Sequence, residues 1–306
     1  MAISQVRALI NGTWNTLTWN GTTSRYEKTI TAPNISSYNV NGGHYYPVSI
    51  EATNTAGTIT TVNDASPTVG PSLKLTVKEK VIPIITMTSP GAGAYVINNK
   101  QPIIFQLRDE VNGSGINIAS LALKIDGGAS IISGSAGMVC NAVTNGYDCT
   151  YTPQVSLSDG PHTITINVND FDANVATQVS RTYTTDTVPP VLNVTAPVNG
   201  FITNNASTTV IGSTNDATSS PVVVTIKLNN VDQGAITITS GNFSKSLTLA
   251  EGANTIITTT TDAAGKATVV TINGTLDTSV PAITSVTITP NPVDAGATMV
   301  ISVAVS

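Results

Sequence analysis

The chain has 306 residues, 40% hydrophobic, 10% charged and 5% aromatic, with 49 threonines and a formal net charge of -5; that length holds about two or three domains rather than one large core. A chain poor in charge and rich in Thr, Val, Ile, Asn and Gly favours strands and turns. It lacks the Ala, Glu, Lys and Leu periodicity of a coiled coil or helical bundle, and its dispersed β-branched runs exclude ordinary disorder.

The chain opens Met1-Ala2-Ile3-Ser4-Gln5-Val6-Arg7, without the charged region followed by an apolar stretch that marks a secretory signal. It is read as made and assembled in the cytoplasm, or as having lost its signal before this numbering begins. Lys and Arg number only 13 and form no cluster to replace phosphate counterions, so nucleic acid is not an expected partner. No apolar run approaches the roughly 18 residues needed to span a bilayer, so membrane insertion is not expected either.

Residues 1–80 read as an atypical N-terminal β-sandwich module. Ala8-Leu9-Ile10-Asn11-Gly12 resembles Leu123-Lys124-Ile125-Asp126-Gly127, and Val48 to Gly57 resembles Ile164 to Ala173, at offsets of 115 and 116. The module therefore begins near its third strand and lacks the first two. Six of the fourteen aromatics lie here: Trp14, Trp19, Tyr26, Tyr38, Tyr45 and Tyr46. Trp14 and Trp19 sit at odd spacing and face opposite sides of a strand. Trp19 shares a face with Leu17 and is expected in the core. Trp14, with Tyr45 or Tyr46, is the candidate binding surface, since exposed aromatics stack on sugar rings or protein partners.

Residues 81–187 form the second module, starting at Val81-Ile82-Pro83, with proline suited to an edge strand leaving a linker. Cys140 and Cys149 flank Val143-Thr144-Asn145-Gly146, read as a four-residue hairpin loop that sets the thiols opposite one another. Two readings stay open, a disulfide staple or two reduced thiols; the spacing does not suit a zinc knuckle. Residues 188–278 form the third module, starting at Val188-Pro189-Pro190. Leu157-Ser158-Asp159-Gly160-Pro161-His162-Thr163-Ile164 and Leu249-Ala250-Glu251-Gly252-Ala253-Asn254-Thr255-Ile256 repeat at a separation of 92, as do the turns opened by Asp170 and Asp262. Many short alternating strands between turn signals, repeated in series, read as tandem antiparallel β-sandwiches in a linear array. The middle module is 14 residues longer than the third, and 11 of those fall between 127 and 157, the stretch that holds both cysteines.

Residues 279–306 repeat the module start at Val280-Pro281 and contain the two strands that module 1 lacks. They are read as donor strands for module 1 of another copy, or of their own chain if it bends back, or as a partial fourth module. Head-to-tail donation is heterologous and builds rings or filaments.

Catalytic chemistry is not expected. The only histidines are His44 and His162, and position 162 is filled by Asn254 and Tyr46 in the other modules, which suits a structural turn residue rather than a general base. No nucleophile motif, phosphate-cradling loop or metal-binding His pair occurs, and no cofactor is expected. Glu79, Asp109, Glu110, Asp170 and Asp172, with Asp186, Asp216 and Asp262, fall in loops that share one end of an Ig-like sandwich. Converging carboxylates are a calcium-type arrangement; turn aspartates capping their own backbone account for them more simply, and no metal site is assigned.

Asp186-Thr187, Thr195-Ala196-Pro197, Ile202-Thr203-Asn204, Phe243-Ser244, Glu251-Gly252-Ala253-Asn254-Thr255-Ile256 and Asp262-Ala263-Ala264-Gly265-Lys266 resemble the bacterial Ig-like domain families. Module 2 is similar through Asp159-Gly160-Pro161-His162-Thr163 and its Asp170–Asn174 turn. Gly42-Gly43-His44-Tyr45-Tyr46-Pro47-Val48 and Pro290-Asn291-Pro292-Val293-Asp294-Ala295-Gly296 resemble Ig-like proteins encoded among tail genes of phages and prophages of Gram-positive bacteria. The resemblance implies a non-catalytic virion protein, structural or adhesive. Its partners would be copies of itself, other virion proteins or a host cell-surface glycan, and its place the virion or the cell exterior. A bacterial extracellular filament or adhesin-stalk subunit, and a carbohydrate-binding accessory protein, are the other readings.

Overall fold

The computed structural model describes residues 2–306. Apart from two short 3-10 turns, its regular elements are strands, so the protein is all-β. By contacts it divides into two compact units, Met1–Thr185 and Asp186–Ser306.

The first strands are β1 (Ile3–Ile10), β2 (Thr13–Asn20), β3 (Arg25–Glu27), β4 (Tyr46–Asn54), β5 (Ile59–Val62) and β6 (Lys74–Leu75). They make one sheet in the order β3-β2-β1-β4-β5, with β6 against the start of β4. Asn11 and Gly12, at φ 47° and 74°, supply the two left-handed positions of a tight hairpin between β1 and β2. Among the described residues, this part of the chain thus differs from the expected sandwich in having one sheet and no second one. Its buried hydrophobics are Val6, Ala8, Tyr46 and Leu73, and the two packed clusters of buried hydrophobics both lie further along the chain.

The next eight strands build a complete two-sheet sandwich. They are β7 (Ile84–Ser89), β8 (Tyr95–Val96), β9 (Ile103–Arg108), β10 (Ile116–Ile125), β11 (Met138–Val143), β12 (Gly146–Tyr151), β13 (Gly160–Asp170) and β14 (Val179–Thr185). The sheets run β10-β13-β14-β8 and β11-β12-β9-β7. Strict alternation in β13 turns His162, Ile164, Ile166, Val168 and Asp170 inward, as period-2 side-chain placement requires. Phe105, Leu107, Leu123, Ile164 and Ile166 are fully buried in the resulting core. Val143 pairs with Gly146, so the β11–β12 turn is the two residues Thr144-Asn145 rather than a four-residue loop. A Cβ on Gly146, at φ 156°, would stand 1.9 Å from the Leu107 carbonyl oxygen of the neighbouring strand; only glycine permits that approach.

The second sandwich comprises β15 (Val191–Ala196), β16 (Phe201–Thr203), β17 (Ser207–Asn215), β18 (Val223–Leu228), β19 (Val231–Asp232), β20 (Ile238–Thr239), β21 (Asn242–Thr248), β22 (Gly252–Thr261) and β23 (Ala267–Leu276). Its sheets are β15-β17-β21-β20 and β16-β23-β22-β18-β19, closed over Val210, Ile226, Phe243 and Ile256. In both sandwiches the chain starts in one sheet and then crosses to the other. There it pairs in parallel with the final strand, Tyr95 and Val96 against Thr184 and Thr185, and Phe201 to Thr203 against Gly274 to Leu276.

The last two strands, β24 (Ile283–Thr289) and β25 (Val300–Val305), pair only with each other. Every residue in both is exposed.

Candidate functional site

The register of the first sheet sorts its aromatics. Cross-strand pairs Val6–Leu17, Ala8–Ile50, Val6–Ala52 and Trp19–Tyr26 put Leu17, Trp19, Tyr26, Ile50 and Ala52 on one apolar face. Trp19 was expected in the core; it is 54% exposed, since it sits on the β2–β3 margin of a face that is buried only over Val6 and Ala8 of β1, and it makes an edge contact to Tyr26 at 5.3 Å. Trp14 lies on the opposite face, 39% exposed, with the Arg7 guanidinium 4.2 Å from its ring centre. Arg7 also pairs with Glu51 at 2.6 Å.

Of the three candidate binding residues, Trp14 is open to solvent. Tyr45 is half-buried, its hydroxyl donating to Asp64 at 2.8 Å and Lys74 lying over its ring. Tyr46 is only 3% exposed and donates to the Ile35 carbonyl. It is therefore a core residue and leaves the candidate surface.

His162 is buried, with Nδ1 2.7 Å from Asp126 and Nε2 2.8 Å from the Ser158 carbonyl. Asn254 and Asn229 reproduce the clip in the second sandwich: Asn254 donates to the Ala250 carbonyl, and Asn229 accepts from the Thr255 amide as Asp126 does from that of Thr163. Both ring nitrogens of His162 are thus occupied in holding a turn. Cys140 and Cys149 are directly opposed on β11 and β12 and form a disulfide.

Carboxylates converge at one end of each sandwich. Glu79, Asp109 and Asp170 each bring a carboxylate oxygen within 4.8 Å of the others, and so do Asp186, Asp216 and Asp262. Burial and the neighbouring Asp170 and Glu110 carboxyls push Glu79 up to about 7. Burial and the neighbouring Glu110 carboxyl push Asp109 up to about 6. Asp172 turns away, accepting from the Ser36 hydroxyl and the Glu79 amide.

The sequence reading missed the contact between the first sheet's 3-10 turn at Ser37–Asn39 and the turn after β13. Tyr38 stacks between His44 and Phe171, with centroids 3.8 and 4.1 Å away, and Asn39 donates to the Gly113 carbonyl. The signal was present: Phe171 is a large aromatic in a turn whose repeat holds Ala263 at the same position.

Residues 83–166 match the family model of a bacterial Ig domain, and residues 190–278 match that of glucodextranase domain B. No curated protein matches the chain in sequence. Among solved structures, an I-band fragment of titin, I67–I69, is 11% identical, with 89% of this chain and 87% of that one covered and a TM-score of 0.41. Fibronectin(III)-like modules of CbhA from Clostridium thermocellum are 13% identical, with 63% and 94% covered and a TM-score of 0.38. The fold and the two matched segments define an Ig-like domain protein, built of tandem antiparallel β-sandwiches. No described segment is a helix long and apolar enough to cross a membrane.

Proposed function

We propose that this chain is a non-catalytic structural and adhesion protein that joins copies of itself head to tail. The ribbon β24–β25 of one copy would cover the apolar face of the first sheet of the next. One observation carries the reading. The register of the ribbon gathers Ile283, Val286, Ile288, Ile301, Val303 and Val305 on a single face, and all six are between 40% and 68% exposed. A two-stranded ribbon alone in water is marginally stable at best, and an apolar face of this kind calls for a covering partner. The first sheet offers a matching half-open face in Leu17, Trp19, Ile50 and Ala52. Its strands β1, β2 and β4, of eight, eight and nine residues, are long enough to lie under ribbon strands of seven and six.

The joint is heterologous and builds rings or filaments, whose repeated weak surface contacts add up by multivalency. A disulfide persists in an oxidising setting, which favours work outside the cytoplasm. Placement on a virion tail rests on the resemblance of residues 42–48 and 290–296; an extracellular filament would use the same joint. The similarity of residues 190–278 to glucodextranase domain B and the exposed Trp14 favour a second reading, a carbohydrate-binding accessory protein, which predicts saturable glycan binding lost in Trp14→Ala.

The test is the mass distribution over a concentration series, by light scattering and negative-stain imaging, of the full chain beside its Val286→Lys/Val303→Lys double variant. Chains or rings in the parent and monomers in the variant are expected. Monomers of both at about 100 μM, or assemblies unchanged in the variant, would overturn the joint.

A further inference from the structure

The acidic clusters at the two sandwiches are built alike, residue for residue. At each, a carboxylate just ahead of the first strand accepts from the backbone amide two residues on: Glu79 from Val81, and Asp186 from Val188. At each, a buried serine hydroxyl donates to that carboxylate, Ser114 to Glu79 and Ser219 to Asp186. A second carboxylate, Asp109 or Asp216, follows the second full strand of its sandwich and accepts from the amides of the loop behind it, Gly115 in one and Thr218 and Ser219 in the other. A third opens the turn between the last two strands, where Asp170 accepts from the Asn174 amide and Asp262 from that of Lys266, each at 2.8 Å.

Both oxygens of Asp170 and Asp186 are taken, Asp170's second by the Asn174 side-chain amide, which also donates to Glu79, whereas at Asp109 and Asp262 turn capping takes one oxygen and leaves the other over. Asp109 is 8% and Asp262 6% exposed, yet Asp109 Oδ1 and Asp262 Oδ2 are buried without any hydrogen-bond partner, as is Glu110 Oε2 beside the first cluster. A buried carboxylate oxygen without a donor is costly, and three carboxylates drawn together add mutual repulsion. Among the described residues, the ion pairs are Arg7–Glu51, Arg108–Asp148 and His162–Asp126, so no Lys, Arg or His neutralises either cluster. The same frustrated arrangement in two sandwiches points to a missing positive charge common to both.

We propose that each cluster is a calcium site, one held by Glu79, Asp109 and Asp170 and the other by Asp186, Asp216 and Asp262. The ligand set is oxygen only, which selects a hard cation over zinc or copper. Oxygens that share one ion at calcium's 2.3–2.6 Å lie at most about 5 Å apart, and in each cluster the three contributed oxygens lie within 4.8 Å of one another. Irregular loop ligands that also accept amide bonds suit calcium's flexible coordination better than the near-octahedral geometry magnesium demands. At the first site the ion would tie Glu79, in the segment leaving the first sheet, to two loops of the following sandwich. Asp172 anchors that segment next door by accepting from Ser36 and the Glu79 amide.

Calcium titration of the chelator-treated full chain, by calorimetry and thermal melting, tests this with Asp109→Asn, Asp262→Asn and the double variant alongside. Two ions per chain are expected in the parent, one in each single variant and none in the double. For sites of about 0.1 mM, 5 mM calcium should raise the parent Tm on the order of 5–15 °C and leave the double variant unmoved. In chelator the variants should melt at or above the parent, since each removes a repelling charge; that readout separates loss of a ligand from a failure to fold. No heat and no Tm shift at 5 mM calcium, two ions still bound by the double variant, or an equal response to magnesium would each overturn the assignment.

Discussion

Glu79 and Asp109 are two carboxyls in their own fold's disfavour when no cation is present. Their ordinary values near 4 are raised to about 7 and about 6, so between those limits the folded chain holds protons that the unfolded chain has released. Stability then falls as pH rises through this window. In chelator, melting of the first unit should rise as pH is lowered from 7.5 to 5, and Glu79→Gln should flatten the dependence; a Tm that instead falls on acidification over that range would contradict the placement. The two tryptophans make a second residue-scale test. Trp19 lies on the face assigned to the ribbon and Trp14 on the other, so in a Trp14→Phe variant acrylamide quenching of Trp19 should drop at least two-fold as concentration promotes joining. In Trp19→Phe, quenching of Trp14 should stay constant. Sequence parity placed both side chains on their correct faces. It did not foresee that Trp19 is open, because the layer that would cover it is not local to its strand. Likewise all eight acidic positions were visible as turn residues, while the burial of Asp109 and Asp262 depends on strands far away in sequence.

At the scale of elements, the alternation in Gly160–Asp170 was readable because a half-buried strand repeats every two residues, and β13 follows it without a break. The repeat of 92 residues likewise made the His162 and Asn254 clips legible as one structural device. The β11–β12 hairpin was less so: two cysteines nine apart are compatible with bonded or free thiols until the register opposes them. Its disulfide closes a loop of about ten residues, for which chain-entropy reasoning gives roughly 3 kcal/mol. Reduction should therefore lower the melting temperature of the middle sandwich while leaving the sandwich of residues 191–276 unchanged. Calorimetry with and without reductant checks this; no shift at all would mean the staple constrains little in the unfolded chain.

For the whole molecule, composition and repeats pointed to an all-β chain of serial sandwiches. What they could not supply is the count of sheets over residues 1–80, since a missing layer leaves no mark on the strands that remain. The parallel pairings that close each sandwich carry a mechanical consequence. The chain enters each sandwich by β7 or β15, crosses to β8 or β16 and leaves by β14 or β23, so once the entering strand has parted, tension on the ends drags two parallel strands lengthwise past one another. Their hydrogen bonds are then loaded together in shear instead of opening one at a time like a zip. With three residue pairs in Phe201–Thr203 against two in Tyr95–Val96, the later sandwich is the stronger link under tension, and the earlier one is where a stretched copy would first give way.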